Sequence, residues 1–278
     1  MSRIEKRRAE EKKRKAGPAA WIYRIVILIL LCIMGFSGYN LYKIYSEYQK
    51  GTEIYNDLAD EVGANKSGVD NSRLHIDWDK LKEINPDVRA WIRIKGTVLS
   101  YPIVQGKDND HYLYYAINGE ESGKGTVFID YQNPAPFKNF NTIMYGHRMK
   151  DGSMFYPITN YFGSGGPDYY AEHPTMEIYT PEKNYDAEVF ACATIDATDM
   201  AWYQMDFSSS NPGDLSPETN YLSKIYSGNE LPVAAESVNV SANDRIIMLS
   251  TCTAQGSTYD DHRQIVWAKL VPVEDDAE

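Results

Sequence analysis

Cys252 ends the run Arg245-Ile246-Ile247-Met248-Leu249-Ser250-Thr251, Arg263 follows it by eleven residues, and His147 stands upstream behind Tyr145-Gly146. Together a thiol, an imidazole and a guanidinium can break an amide. The thiolate adds to a carbonyl carbon, and the guanidinium holds the oxyanion that results. Each residue alone also has a plainer reading. A cysteine outside the cytoplasm is often structural, a lone histidine often idles in solvent, and an arginine often does no more than join a surface ion pair. The setting favours chemistry. Ser250, Thr251 and Thr253 are an unusual lining for a core thiol, and His147 sits between a strand-like segment, residues 141–146, and the polar turn Arg148-Met149-Lys150-Asp151-Gly152. The other histidines, His75, His111, His173 and His262, show no ligand spacing, and no carboxylates follow the order of a calcium loop. No metal and no cofactor is expected.

For such residues to meet, rigid elements must carry them. Eight short runs rich in Val, Ile, Tyr and Phe, residues 90–94, 98–104, 125–130, 141–146, 176–180, 186–195, 245–250 and 264–271, are separated by Gly, Pro and Asn turns. This spacing predicts a mostly β fold, a closed or nearly closed, mostly antiparallel barrel. Cys252 and Arg263 then belong to strands that can lie side by side, and His147 follows a third, which puts all three at the barrel rim. The connection 196–243 is too long for a plain loop. Within it Ser216 as N-cap, Pro217 in the first turn, Leu222 and Ile225 on one face and Gly228 as a stop predict a helix beside the cysteine strand. Asp77 predicts the cap of a shorter helix in which Trp78, Leu81 and Ile84 share a face, ended by Asn85-Pro86.

The N-terminal fifth has a different character. Residues 1–20 carry eight Lys or Arg against three Glu, and residues 21–42 hold a single charge, Arg24. Twenty-two residues of helix reach about 33 Å, enough for a bilayer core of about 30 Å. Trp21, Tyr23, Tyr39 and Tyr42 sit where interfacial aromatics belong, and the basic flank is expected to stay in the cytoplasm. The alternative is a cleaved secretory signal, for which Gly35, Ser37 and Gly38 provide small residues. The expected organisation is therefore a basic cytoplasmic tail (1–20), a transmembrane anchor (21–42), a juxtamembrane helix and linker (43–76), a catalytic domain (77–273) and an acidic tail (274–278). The catalytic part faces outward. Setting aside the nine basic and three acidic residues of positions 1–24 leaves 19 basic against 36 acidic, a net charge of −17, which argues against nucleic acid as a partner. Of the three cysteines, Cys32 lies in the span. Cys192, in the apolar run Val189-Phe190-Ala191-Cys192-Ala193, reads as a small buried hydrophobe, with a disulfide to Cys252 as the alternative.

Several stretches resemble a known family. Trp91-Ile92, Gly96-Thr97, Tyr101-Pro102-Ile103-Val104-Gln105, Asp108-Asn109, Tyr112-Leu113, Asn141-Thr142-Ile143-Met144-Tyr145-Gly146-His147, Met149-Lys150-Asp151-Gly152-Ser153-Met154-Phe155 and Leu249-Ser250-Thr251-Cys252 resemble the sortases, membrane-anchored cysteine transpeptidases of Gram-positive bacteria, and most of all class B. The likeness spans about residues 75–272. It implies an eight-stranded sortase barrel with N-terminal helices, and it matches 196–243 to the helix-bearing loop of class B that precedes the cysteine strand. It also implies Cys252 as the nucleophile, His147 as proton donor to the leaving amine and Arg263 as the oxyanion and substrate-positioning group. Asn109, Leu113, Ser250 and Thr251 are implied to line the peptide groove; from the residues alone, Asn109 reads as a turn residue and Leu113 as core. One departure stands out: many sortases have threonine four residues before the cysteine, where this chain has Met248.

The implied reaction is thiol-dependent cleavage of the C-terminal sorting signal of secreted surface proteins after a threonine, with transfer of the acyl group to an amine of peptidoglycan or a lipid-linked precursor. Three other readings compete. A class B pilus-assembly enzyme would use the same residues. A papain-like wall hydrolase would place its cysteine before its histidine, the reverse of the order here. A membrane-tethered wall-binding module could use Trp202-Tyr203 and residues 112–115, but would have no use for a rim thiol.

Overall fold

A computed structural model describes residues 18–64, 72–253 and 261–273. The expected basic tail up to residue 17, the linker residues 65–71 and the acidic tail 274–278 lie outside the described residues. The chain divides into two compact units, Met1–Gln49 and Lys50–Glu278. Helix α1 (Pro18–Glu61) carries apolar side chains from Trp21 to Tyr42 that are exposed, and it is long and apolar enough to cross a membrane.

In the second unit the strands are β1 (Val88–Arg93), β2 (Ser100–Val104), β3 (Val127–Ile129), β4 (Asn141–Tyr145), β5 (Thr175–Tyr179), β6 (Asn184–Asp196), β7 (Ile246–Cys252) and β8 (His262–Pro272). They close into a barrel in the order β1-β2-β3-β4-β7-β8-β6-β5, completed by the pairing of β5 with β1. The mostly antiparallel barrel read from the sequence is present, and two of its pairings, β2 with β3 and β4 with β7, are parallel. Parallel neighbours need a crossover of a dozen or more residues. Residues 105–126 supply one and contain helix α2 (Trp78–Ile84)'s successor α3 (His111–Tyr114), and residues 146–245 supply the other. Alternation of apolar residues does not reveal the direction of a partner strand, so these pairings emerge only in three dimensions.

The crossover from β4 to β7 also holds β5 and β6, with α4 (Gly166–Glu172) before them and α5 (Ser216–Ser227) and α6 (Pro232–Ser237) after them. Helix α5 matches the expected helix with one difference at its start: Leu215 is the N-cap, and the Asp214 carboxylate accepts from the Ser216 N–H at 3.0 Å. Tyr221, Leu222 and Ile225 of α5 pack on Ile143, Ile246, Met248, Ile265 and Trp267 of β4, β7 and β8. These strands are thus covered on the face that α5 meets while Ile247 and Leu249 fill the other, which is why β7 reads as an unbroken apolar run. In α2, Asp77 caps as expected by accepting from the Lys80 N–H at 3.0 Å. The last turns of α1 belong to this unit and bury Tyr55 and Leu58 in it, followed by Val62 just past the helix end.

Glu177 in β5 is a buried carboxylate among cations. It accepts from Arg93 Nε at 2.6 Å and from the Tyr179 hydroxyl at 2.7 Å, with Lys95 Nζ at 3.0 Å. Burial alone would raise its pKa, but the bonds from Arg93, Tyr179 and Lys95 prevail and hold it below the ordinary value of 4.5. Because the folded-state value is depressed, this stabilisation is present above the unfolded-state pKa and is lost as pH falls through the lowered value. Glu177→Gln strands the buried Arg93 and is expected to cost about 3 kcal/mol. Urea unfolding at neutral pH checks this, and the deficit should shrink as the pH is lowered into the acid range.

Candidate active site

Strand pairing brings the chemistry together. Cys252 and Arg263 face each other directly across the antiparallel pair β7–β8, so their side chains emerge on one face, the face that carries Met248, Ile265 and Trp267 under α5. The parallel pair β4–β7 aligns Tyr145 with Ser250, and His147 follows two residues on. The Gly146 N–H donates to the Ser250 carbonyl at 3.2 Å, and the Thr251 hydroxyl donates to the Gly146 carbonyl at 2.7 Å. These two bonds tie the entry to the histidine turn to the end of the cysteine strand. Gly146 has no room for a side chain, since a Cβ there would lie 2.7 Å from the Phe155 ring.

One cavity of about 410 Å³ is lined by Cys252, His147 and Arg263 together with Asn109, Leu113, Ser250 and Thr251. All seven residues singled out from the sequence therefore border a single space. Cys252 is exposed at its edge. His147 Nε2 lies 2.9 Å from the Leu113 carbonyl, which can only accept, so Nε2 carries hydrogen and Nδ1 is the nitrogen left to exchange a proton. Arg263 spends one donor on the His262 carbonyl at 3.0 Å, which steadies the guanidinium without neutralising it. Asn109 is braced at both ends of its amide: Nδ2 donates to Asp130 at 2.9 Å, and Oδ1 accepts from the Tyr131 N–H at 3.0 Å.

Sequence reasoning did not assign Asp130, Tyr145 or Tyr203 to this site. The Tyr145 hydroxyl donates to the buried Asp130 carboxylate at 2.8 Å, so Asp130 anchors both the floor tyrosine and Asn109. Burial, then the negative charge of Asp130, pushes the Tyr145 hydroxyl far above its ordinary pKa. Tyr203 closes the cavity from the insertion. Its backbone is held on both sides, by the Tyr221 hydroxyl on the Trp202 carbonyl at 2.6 Å and by Asn141 Nδ2 on the Gln204 carbonyl at 3.0 Å. Burial raises the Tyr203 pKa and Cys252 adds to the rise, while a hydrogen bond with Ser250 and the charge of Arg263 oppose it. In the sequence Trp202-Tyr203 stands out only as an aromatic pair for wall binding; the packing of α5 places Tyr203 at this cavity.

The two thiols of the second unit differ sharply. Cys192 is free and buried, donates to the Tyr161 carbonyl at 3.5 Å, and burial drives its pKa well up, so it is inert. Cys252 is also free, which leaves no disulfide between them. Among the described residues no group of three or more His, Cys, Asp or Glu is placed to hold a metal.

The family is settled by the span that matches: the sortase domain model aligns with residues 92–271, which take in all eight strands but the start of β1 and the end of β8. The chain belongs to the sortase family. Sortase B of Listeria monocytogenes is 36% identical over 205 residues, 72% of this chain and 76% of the relative, and sortase B of Staphylococcus aureus is 31% identical over 196 residues, 70% and 75% of the two chains. The solved Staphylococcus aureus sortase B–substrate complex superposes with a TM-score of 0.69 at 28% identity, covering 82% of this chain and 100% of that one. The chain is thus a sortase transpeptidase most like class B, which separates it from the papain-like hydrolases. In this sortase the departure at position 248 is a packing choice. Met248 is fully buried, and its sulfur lies 3.7 Å from the Tyr221 hydroxyl, in contact between the cysteine strand and α5.

Proposed function

We propose that Cys252, His147 and Arg263 cleave the C-terminal sorting signal of secreted surface proteins after a threonine and pass the acyl group to an amine of the cell wall. The observation that carries this reading is the shared cavity of about 410 Å³ bordered by all three side chains. The Cys252 thiolate adds to the threonine carbonyl carbon, and the oxyanion is held by the Arg263 guanidinium. The C–N bond then breaks as His147, an imidazolium, protonates the leaving nitrogen from Nδ1, and a thioester remains on Cys252. An incoming amine adds to the thioester, gives its proton to the now neutral His147 and expels the thiolate. Atoms and protons return to their starting state, so the cycle needs no cofactor.

Asn109, Leu113, Ser250 and Thr251 line the peptide groove in this reading, and Tyr203 forms its outer wall. A relative, Staphylococcus aureus sortase B, is solved as a substrate complex, which supports a substrate-binding role for this chain. Helix α1 anchors the enzyme in the membrane with the basic N-terminus in the cytoplasm and the barrel outside. The acceptor is an amine of peptidoglycan or of its lipid-linked precursor.

A peptide-library screen with the full chain in detergent, with and without added triglycine, tests this. The expected result is scission after a central threonine, giving a free acid in water and a triglycine amide when the amine is present. Scission that ignores the threonine, or products that never incorporate triglycine, would overturn the proposal.

A further inference from the structure

Lys124 is only 2% exposed, an unusual position for an ammonium. Its Nζ donates to Asp151 Oδ2 at 2.7 Å, to the Ser153 hydroxyl at 3.0 Å and to the Thr52 hydroxyl of α1 at 2.7 Å, so all three of its hydrogens are used. Asp151 and Ser153 form the turn that follows His147. The Asp151 carboxylate accepts from the Ser153 N–H at 3.0 Å, and the Phe155 N–H returns to the His147 carbonyl at 2.9 Å, closing the turn on the histidine backbone.

The same short segment reaches His147 from a second side. Gly125 has φ +57, and a Cβ there would lie 2.8 Å from the Leu113 carbonyl, the oxygen that holds His147 Nε2. The Tyr55 hydroxyl of α1 donates to the Gly125 carbonyl and lies 3.0 Å from the Thr126 hydroxyl, and the Thr126 N–H donates to the Tyr112 carbonyl at 2.9 Å. Helix α1 comes this close because Gly51 faces the Lys124 stem, where a Cβ would lie 2.9 Å from Cδ. Residues 122–126 therefore form a bracket. On one side it is gripped by α1 through Thr52 and Tyr55, and on the other it bonds the Tyr112 and Tyr114 carbonyls that flank the Leu113 acceptor of the imidazole and holds the turn after the histidine.

We propose that Lys124 is a positioning residue for His147, and that the last turns of α1 complete the active site by holding Lys124 through Thr52 and the Gly125 carbonyl through Tyr55. The proposal rests on the reading of His147 as the proton-transfer group. A bracket that merely stabilised the fold would show itself in melting temperature alone, whereas a positioning role acts on the chemical step. Lys124→Met and Asp151→Asn leave the thiol, the guanidinium and the groove untouched but release the histidine turn.

The test uses the full chain in detergent, a fluorogenic peptide built on the best-cleaved library sequence, and the rate of Cys252 alkylation by iodoacetamide followed by mass spectrometry. Lys124→Met is expected to lower kcat about tenfold with KM changed less than about twofold. Thr52→Val should lower kcat about threefold, and Thr52→Ser, which keeps the hydroxyl, should restore it. Lys124→Met should slow Cys252 alkylation in the otherwise native chain and leave it unchanged in a His147→Ala background. A folded Lys124→Met with native kcat, or one that slows alkylation equally without His147, would overturn the inference. Should Lys124→Met fail to fold, the Thr52→Val and Thr52→Ser pair decides on the same criterion. Failure of the functional reading itself appears elsewhere, as full activity of the single variant His147→Ala, and in that event the inference falls with it.

Discussion

Cys252→Ala is expected to lower peptide cleavage about 10,000-fold or more, and His147→Ala to lower it nearly as far, because groups that act as one unit are not additive. The double variant should be scarcely worse than either single one. The cause is chemical: without the sulfur no thioester forms, and without the imidazole the amide nitrogen departs unprotonated. Both variants should fold. Cys252 is exposed at the cavity edge, and among the described residues the His147 ring bonds the Leu113 carbonyl. Cys192→Ala is the control, since that thiol is buried and borders no part of the cavity. Single-turnover cleavage of the fluorogenic peptide checks the rates, and trapping of the acyl enzyme by mass spectrometry should disappear with Cys252→Ala and persist with Cys192→Ala. Retention of cleavage by Cys252→Ala would remove the covalent mechanism altogether.

Arg263→Ala is the second large effect, an expected loss of about 100- to 1,000-fold in kcat. Arg263 stands opposite Cys252 in the β7–β8 register, and its side chain donates to the uncharged His262 carbonyl. Its charge is thus available to the oxyanion that develops when the sulfur adds. Arg263→Lys keeps the charge and loses the planar fork, so it should recover only part of the rate. The β7–β8 ladder is made by backbone atoms, and melting temperature should move little. A loss confined to KM would assign Arg263 to peptide binding rather than to the transition state.

Much of this site was legible in the residue order. The eight apolar runs marked all eight strands, the Cys252 strand and the Arg263 strand were expected as neighbours, and residues 216–228 were read as a helix. Hydrophobic alternation reports burial of a local face, and burial is what these elements share. The parallel pairings of β2 with β3 and β4 with β7 were hidden, because each depends on a crossover whose path is set by packing. Asp130, Tyr145, Tyr203 and Lys124 were hidden for a related reason. Their roles lie in partners 15, 27 or more residues away, such as Tyr145 with Asp130 and Lys124 with Asp151, and a polar side chain on a strand or in a connection does not reveal such a partner before the chain folds.

The linear chain by itself determined which groups are available for chemistry, where strands and helices form, and that an apolar basic-flanked helix precedes them, since these follow from side-chain type and short-range periodicity. Tertiary structure alone decided that sulfur, imidazole and guanidinium border one cavity, which ring nitrogen of His147 is left to exchange a proton, and that one buried ammonium, Lys124, joins α1 to the turn after the histidine. Those outcomes require residues distant along the chain to be held within hydrogen-bond range, and only closure of the barrel brings them there.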